Sequence, residues 1–319
     1  MYYRSVTNSV LQLLRERTRQ GSTPGHRDDS ARLALVIEGG SSRGAYSSGM
    51  TVAIEQLGLL PRFDAVYGSS AGALNAAWLL CERAEKTMHA WWDPVIMRGT
   101  IDLRRALRRQ PVVDTKYLVH TVYTEIMFMG FQEILDNPVE FHPMATDALT
   151  GESTDLRPFI HDQAGLQAAL RATTAMPFMA GKPVEIGGRR YVDAGVSESV
   201  PVRTALAQGA THVLALRTKR SDERATSPAR VERWFLSRWF AQYAPGAAAP
   251  WLNRVAVRGE EEHLLASNPA ILQIRPPLGS GHIGRTERGE LVLRTAVATG
   301  RQAAWDTLAA SVDELQAAD

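Results

Sequence analysis

The sequence predicts an α/β fold, a three-layer α/β/α arrangement built on a mainly parallel central sheet. Three observations predict it. LALVI (Leu33–Ile37) is an uninterrupted apolar run, as a strand buried on both faces requires. A glycine-rich turn and a helical pattern follow it. The same order of strand, small-residue turn and helix recurs from FDAVYG (63–68) onward. At 319 residues, 45% hydrophobic and 22% charged, the chain can bury a large core. That composition excludes a disordered chain, a collagen-like repeat and a disulfide scaffold. Cys81 stands alone, so it can make neither an internal disulfide nor a cysteine-based zinc site, and it reads as inert packing. Lys+Arg 36 against Asp+Glu 34 leaves a net charge of +2, with no general pull toward nucleic acid.

Taken in order, residues 1–31 read as an N-terminal arm and linker. Val10, Leu11, Leu13 and Leu14 mark one face of a short helix. Gly, Pro, Ser and Asp then break the periodicity over 21–30, so a loosely docked arm is expected. Residues 32–218 carry the core. After the first strand come EGGSSRG (38–44) and a helix ending at Gly58. The second strand leads into a long helix expected to reach Trp92. Residues 98–111 hold five Arg and read as a solvated face or a contact with anionic headgroups. Residues 115–127 look helical, 139–156 give two strands joined at Thr150-Gly151, and 166–176 give a helix stopped by Pro177. A hairpin over 184–193 turns at Gly187-Gly188, a pair that permits positive φ. A helix and a buried strand (211–218) follow.

Residues 219–319 read as a C-terminal extension packed on the core. Trp and Phe stand beside Arg over 231–251, which suits an interfacial helix or lid as well as ordinary core. A strand (270–276) and a helix (288–309) close the chain. No stretch is long enough to cross a bilayer and no cleavable leader is evident. The expected location is the cytoplasm, with peripheral contact at the inner face of the membrane left open.

The strongest chemical signal is Gly68-Ser69-Ser70-Ala71-Gly72, a G-x-S-x-G between a buried strand and a helix. A sharp turn there projects Ser70 above the sheet at a helix N-terminus, whose dipole favours developing negative charge. On this setting alone Ser70 reads equally as a nucleophile or as part of a plain tight turn. The loop GGSSRG (39–44) exposes successive backbone N–H groups of the kind an oxyanion requires. It matches neither the P-loop nor G-x-G-x-x-G. Arg43 is expected to brace it, since Arg cannot act as a base. A serine nucleophile needs a proton acceptor. None of the eight histidines sits in a small-residue turn. Asp193 does, opening Asp193-Ala194-Gly195, where it could serve as the base or merely cap the turn. A Ser-Asp pair would need a water-poor pocket that raises the carboxyl pKa.

These elements in this order resemble the patatin-like phospholipases, over about residues 33–217. That family carries G-G-G-x-R-G, G-x-S-x-G and D-G-[GA]; here they stand as residues 39–44, 68–72 and 193–195. ATDALTGE (145–152) and the run from RATTAM to YVDAG are similar to family segments too, and Glu38 precedes the glycines as in a bacterial subgroup. Ser41 departs from the third loop glycine and Ala194 from the glycine after the acid. The resemblance implies a Ser-Asp dyad, Ser70 as nucleophile and Asp193 as base. It implies an oxyanion hole of Gly40, Ser41 and Ser42, with Gly39, Arg43, Gly44, Gly68, Gly72 and Gly195 in support. It implies no metal or organic cofactor, a lipid or acyl-ester substrate, and a serine lipid acyl hydrolase of the phospholipase, lysophospholipase or esterase type. Two alternatives use the same pocket: an acyltransferase passing the acyl group to an alcohol or amine, and a catalytically weak lipid-binding homologue. A Ser-His-Asp triad would instead call on His263 or His282. Nothing in the sequence indicates the oligomeric state.

Overall fold

The computed structural model describes residues 8–224, 227 and 229–312. Its strands are β1 (Leu33–Ile37), β2 (Ala65–Ser69), β3 (Glu140–Asp147), β4 (Ser153–Asp155), β5 (Val184–Ile186), β6 (Arg189–Val192), β7 (His212–Leu216) and β8 (Ile271–Ile274). They form one sheet in the order β5-β6-β3-β2-β1-β7-β8, with β4 also paired to β3. The pairings among β3, β2, β1, β7 and β8 are parallel, and those of β4, β5 and β6 are antiparallel. Around the sheet lie α1 (Ser9–Arg19), α2 (Gly44–Gln56), α3 (Ala71–Leu80), α4 (Gln163–Thr173), α5 (Arg230–Tyr243), α6 (Arg254–Ser267) and α7 (Glu290–Leu308), among shorter helical turns.

Strand alternation makes the layers. Leu33, Leu35 and Ile37 share a core with Met50 of α2, Ala76 of α3 and Val297 of α7. Their neighbours Ala34 and Val36 face the opposite side and pack with Val202, Ala205 and Leu265 of α6. A strand covered on both faces has no polar position, which is why LALVI reads as one apolar run. β1 lies between β2 and β7, so its carboxyl end sits near the centre of the sheet, where open α/β sheets place their ligands. The loop after β1 and the turn after β2 both emerge there, because Ile37 is in register with Gly68. The hairpin turns at Gly187 (φ 58°) and Gly188 (φ 73°), a two-residue turn that only residues free of Cβ adopt without strain. Among the described residues, no helix is long and apolar enough to cross a membrane.

Two expectations need correction. The long helix reaching Trp92 instead ends at Leu80. Glu82 takes φ 52°, the chain turns, and a short 3₁₀ segment brings Trp91 back so that its Nε1–H donates to Asn75 Oδ1 at 3.2 Å. Of the N-terminal arm expected over 1–31, residues 1–7 lie outside the described residues, and the described part is packed rather than loose. Arg17 of α1 is fully buried and its guanidinium meets Asp29 and Asp64, each at 2.8 Å, and the carbonyls of Arg62 and Ala31. A buried cation persists only when its donors are met in this way.

Candidate active site

Ser70 closes the turn between β2 and α3 with φ 51° and ψ −124°, a conformation that L residues adopt only when the surroundings enforce it. The enforcement is close packing. A Cβ on Gly68 would lie 2.4 Å from Ala73 Cα, and one on Gly72 would lie 2.4 Å from the Ile37 carbonyl oxygen. Only glycines let α3 sit this tightly against β1 and β2. The Ser70 N–H donates to Thr173 Oγ1 at 2.9 Å. Its hydroxyl donates to Asp193 Oδ2 at 2.7 Å. The two side chains, well separated in sequence, are thus brought together, and Ser70 and Asp193 are only 6% and 7% exposed.

Asp193 follows β6 and is held at both ends. Its Oδ1 accepts from the Gly195 N–H at 2.8 Å, and its carbonyl accepts from Thr146 Oγ1 at 2.9 Å. Burial pushes its carboxyl above the ordinary aspartate range; the Ser70 hydroxyl, the Gly195 N–H and the charges of Arg285 and Arg258 pull the other way. Ala194 is fully buried with no positive φ, so the missing glycine carries no strain there.

The loop after β1 runs Gly39, Gly40 and a 3₁₀ turn over Ser41–Arg43 before α2 starts at Gly44. Gly40 is the cap of that turn and Ser41 its first residue, so their N–H groups have no intrahelical acceptor. Ser42 is different, since its N–H faces the Arg285 carbonyl at 3.5 Å. Ser41 takes φ 52°, the region in which glycine is favoured. The serine has a return for that strain: its hydroxyl donates to the Arg285 carbonyl at 2.6 Å, and the Ser42 hydroxyl donates to the same oxygen at 3.0 Å. Arg43 flanks the loop, and its Nε is buried without a hydrogen-bond partner among the described residues.

Buried acids hold the loop from below. Glu38 Oε2 accepts from Arg217 Nε at 3.0 Å and from the Thr218 N–H at 2.8 Å. Burial opposes its ionisation, but Arg217, Lys219 and the Thr218 N–H outweigh burial and hold it at about 2. Glu261 of α6 accepts from the Ser199 N–H at 2.8 Å, and the Ser199 carbonyl accepts from the Gly39 N–H at 3.0 Å. Burial, then the nearby Glu198, pushes Glu261 from 4.5 up to about 7. A carboxyl raised by folding leaves its stability intact at low pH and loses it as pH climbs from the unfolded to the folded value. Glu261→Gln keeps the acceptor oxygen and removes the charge. It is expected to raise stability at pH 8 by up to about 3 kcal/mol and to leave it unchanged at pH 4. Urea unfolding at both pH values checks this; an equal gain at each would show that no titration is involved.

Two cavities meet at Ser70. One is narrow and largely apolar, and Leu74 and Trp78 line it one and two turns along α3, giving a depth of roughly 12 Å. Thr51, Met97 and Tyr123 close it. The other, about 680 Å³, opens past Gly40, Met176 and Asp193 toward α5 and α6. No histidine lines either one among the described residues. His263 and His282 are exposed, and His142 lies in β3 stacked on Tyr67. Sequence reasoning missed Thr173, Glu261 and the Arg285 carbonyl. Nothing local marks them, because each acts through a partner distant in the chain.

A mainly parallel sheet carries a strained serine at the end of β2 and, from the β6 turn, an aspartate within hydrogen-bond distance of it. Residues 35–206, more than half of the chain, match the family model described as patatin-like phospholipase, and the chain belongs to that family. It is 28% identical over 214 residues to the uncharacterized protein YjjU of Escherichia coli (strain K12), covering 64% of this chain and 57% of that protein. It is 23% identical over 286 residues to the lysophospholipase NTE1 of Debaryomyces hansenii, covering 79% of this chain and 17% of that protein. The chain therefore spans less than two thirds of the length of either relative. VipD from Legionella pneumophila aligns over 91% of this chain and 69% of its own, at 13% identity and a TM-score of 0.44.

Proposed function

We propose that this protein is a serine lipid acyl hydrolase working through a Ser70–Asp193 dyad. The observation that carries the reading is the 2.7 Å contact between the Ser70 hydroxyl and the Asp193 carboxylate, at the junction of two cavities. Ser70 Oγ attacks the acyl carbonyl as Asp193 takes its proton. The N–H groups of Gly40 and Ser41 receive the oxyanion, and Ser42 adds a third donor if its N–H turns from the Arg285 carbonyl. Collapse of the tetrahedral species expels the alcohol, which leaves with the proton held by Asp193. Water, deprotonated by the same carboxylate, then releases the fatty acid and restores Ser70. These residues supply every group the cycle uses. Residues 32–218 form the catalytic core in this reading, and the 219–319 extension adds the outer wall of the wide cavity.

The narrow apolar cavity suits an acyl chain and the wide one an alcohol or headgroup. Leu103, Phe178, Val231 and Phe235 are exposed large hydrophobics at the wide mouth. This rim supports peripheral contact with a lipid surface.

A long-chain fluorophosphonate is expected to add one adduct on Ser70, read by mass spectrometry, with none on Ser70→Ala. A series of p-nitrophenyl esters is expected to show kcat/KM rising with chain length up to the cavity depth. Absence of the adduct on folded protein would favour the lipid-binding reading. Transfer of the acyl group to an added alcohol, in preference to water, would favour the acyltransferase.

A further inference from the structure

The wide cavity carries more positive charge than its acidic groups balance. Arg43, Arg254, Arg258 and Arg285 line it, against only Asp193 and Glu232. Arg254 is occupied, with Glu232 at 3.5 Å and the Trp251 ring at 4.8 Å. The guanidinium groups of Arg43, Arg258 and Arg285 have no ion-pair partner among the described residues. Arg285 and Arg258 lie close enough to work against the charge on Arg43, which burial opposes and Glu38 favours, and on Arg254, which burial opposes and Glu232 favours. Guanidinium groups crowded at one cavity wall are relieved by an anion placed between them, and the planar fork matches phosphate oxygens.

Two of these cations come from backbone anchored beside the candidate site. The Arg285 backbone is tied to the candidate oxyanion loop, since its carbonyl accepts from the Ser41 and Ser42 hydroxyls. Arg258 sits on α6, the helix whose Glu261 holds Ser199 and, through it, Gly39. Both come from beyond residue 206, where the family match ends. They are features of this chain's C-terminal part, separate from the shared motifs.

We propose that Arg258 and Arg285 form a headgroup subsite that binds the phosphate of a phospholipid or lysophospholipid whose acyl ester lies at Ser70. This rests on the acyl-hydrolase reading for the position of the ester. Glu232, on the α5 side of the same cavity, disfavours a headgroup filling the whole space with negative charge. It leaves room for one phosphate on the α6 side.

The test uses the full chain carrying Ser70→Ala, so that ligands bind without turnover. Palmitoyl lysophosphatidic acid, palmitoyl lysophosphatidylcholine and monopalmitoylglycerol share one acyl chain and differ in phosphate. The two phosphate-bearing lipids are expected to bind about ten-fold or more tighter than monopalmitoylglycerol. Adding Arg258→Gln and Arg285→Gln is expected to bring that ratio close to one, and Arg258→Lys to restore part of it. Glycerol 3-phosphate and inorganic phosphate form the other arm. If they bind as tightly as the lipids, the site is for free phosphate and the proposal fails. It fails equally if the wild-type pocket shows no preference for phosphate, or if the ratio survives both substitutions. Wild-type hydrolysis of p-nitrophenyl butyrate is measured separately. Its absence would sink the hydrolase reading, while the binding ratio would still decide the subsite.

Discussion

Asp193→Asn is expected to lower turnover of a p-nitrophenyl ester by about 10³-fold while leaving the protein folded, because general-base help is worth about 10²–10⁴-fold. The amide has the shape of the carboxyl and can still meet Ser70 and the Gly195 N–H, so little packing is lost. What disappears is the oxygen able to take the Ser70 proton. Stability moves the opposite way from activity. Burial raises the Asp193 carboxyl above its ordinary range, so keeping it ionised in the fold works against folding once pH exceeds its unfolded value. The asparagine variant should therefore melt at the same temperature as wild type or higher at pH 8, with any advantage gone at pH 3, below both values. By the same logic wild-type activity should fall, as pH drops, at a higher pH than an ordinary aspartate would give. His263→Ala and His282→Ala should leave activity near wild type, since both side chains are exposed and neither lines the two cavities. A histidine variant as damaged as Asp193→Asn would return the triad to favour.

Gly49→Ala and Gly300→Ala should each destabilise the fold by about 4 kcal/mol or more, in the exceptional range for single substitutions. The two glycines face each other where α2 crosses α7. A Cβ on Gly49 would sit 1.9 Å from the Val297 carbonyl oxygen, and one on Gly300 would sit 1.9 Å from the Tyr46 carbonyl oxygen. Neither obstacle is a flexible side chain, so the helices themselves must separate. Separation would open the core that Met50, Ala53, Leu293 and Val297 fill together. It would also move Gly44, where α2 leaves the candidate oxyanion loop, so activity should fall with stability. Gly259 on α6 is the control: nothing lies within 4 Å of its would-be Cβ. Gly259→Ala should be neutral or stabilising by up to about 1 kcal/mol. Urea unfolding reads all three; losses under 1 kcal/mol at Gly49 and Gly300 would mean the helices adapt with ease.

The helix that was expected to reach Trp92 shows where reading a sequence stops. Apolar residues continue through Cys81, so the pattern gives no local sign of a break. The turn at Glu82 is set by the docking of Trp91 on Asn75, a contact between two segments that each look helical alone. Arg17 shows the same limit. No local pattern marks it for burial, yet Asp29 and Asp64 converge on it from a loop and from the edge of β2. Ser41 is intermediate. Its departure from glycine is visible in the sequence, and so is the question of positive φ. The hydroxyl contact with Arg285 that accompanies the strain is visible only in three dimensions.

By itself the sequence determined the strand–turn–helix order, the parallel sheet, the sharp turn that lifts Ser70 and the family to which the chain belongs. The strands and the turn are each written within about ten neighbouring residues, as an apolar run for a strand covered on both faces or as small residues where backbones approach closely, and the sheet and the family follow from such short signals taken in order. Only the tertiary structure decided that the Ser70 hydroxyl and the Asp193 carboxylate, 123 positions apart, stand 2.7 Å from each other. It alone brought Arg258 and Arg285 to the wall of the same cavity. Those meetings depend on the order of strands in the sheet and on how distant helices dock, and no local pattern of residues encodes a distance between remote parts of a chain.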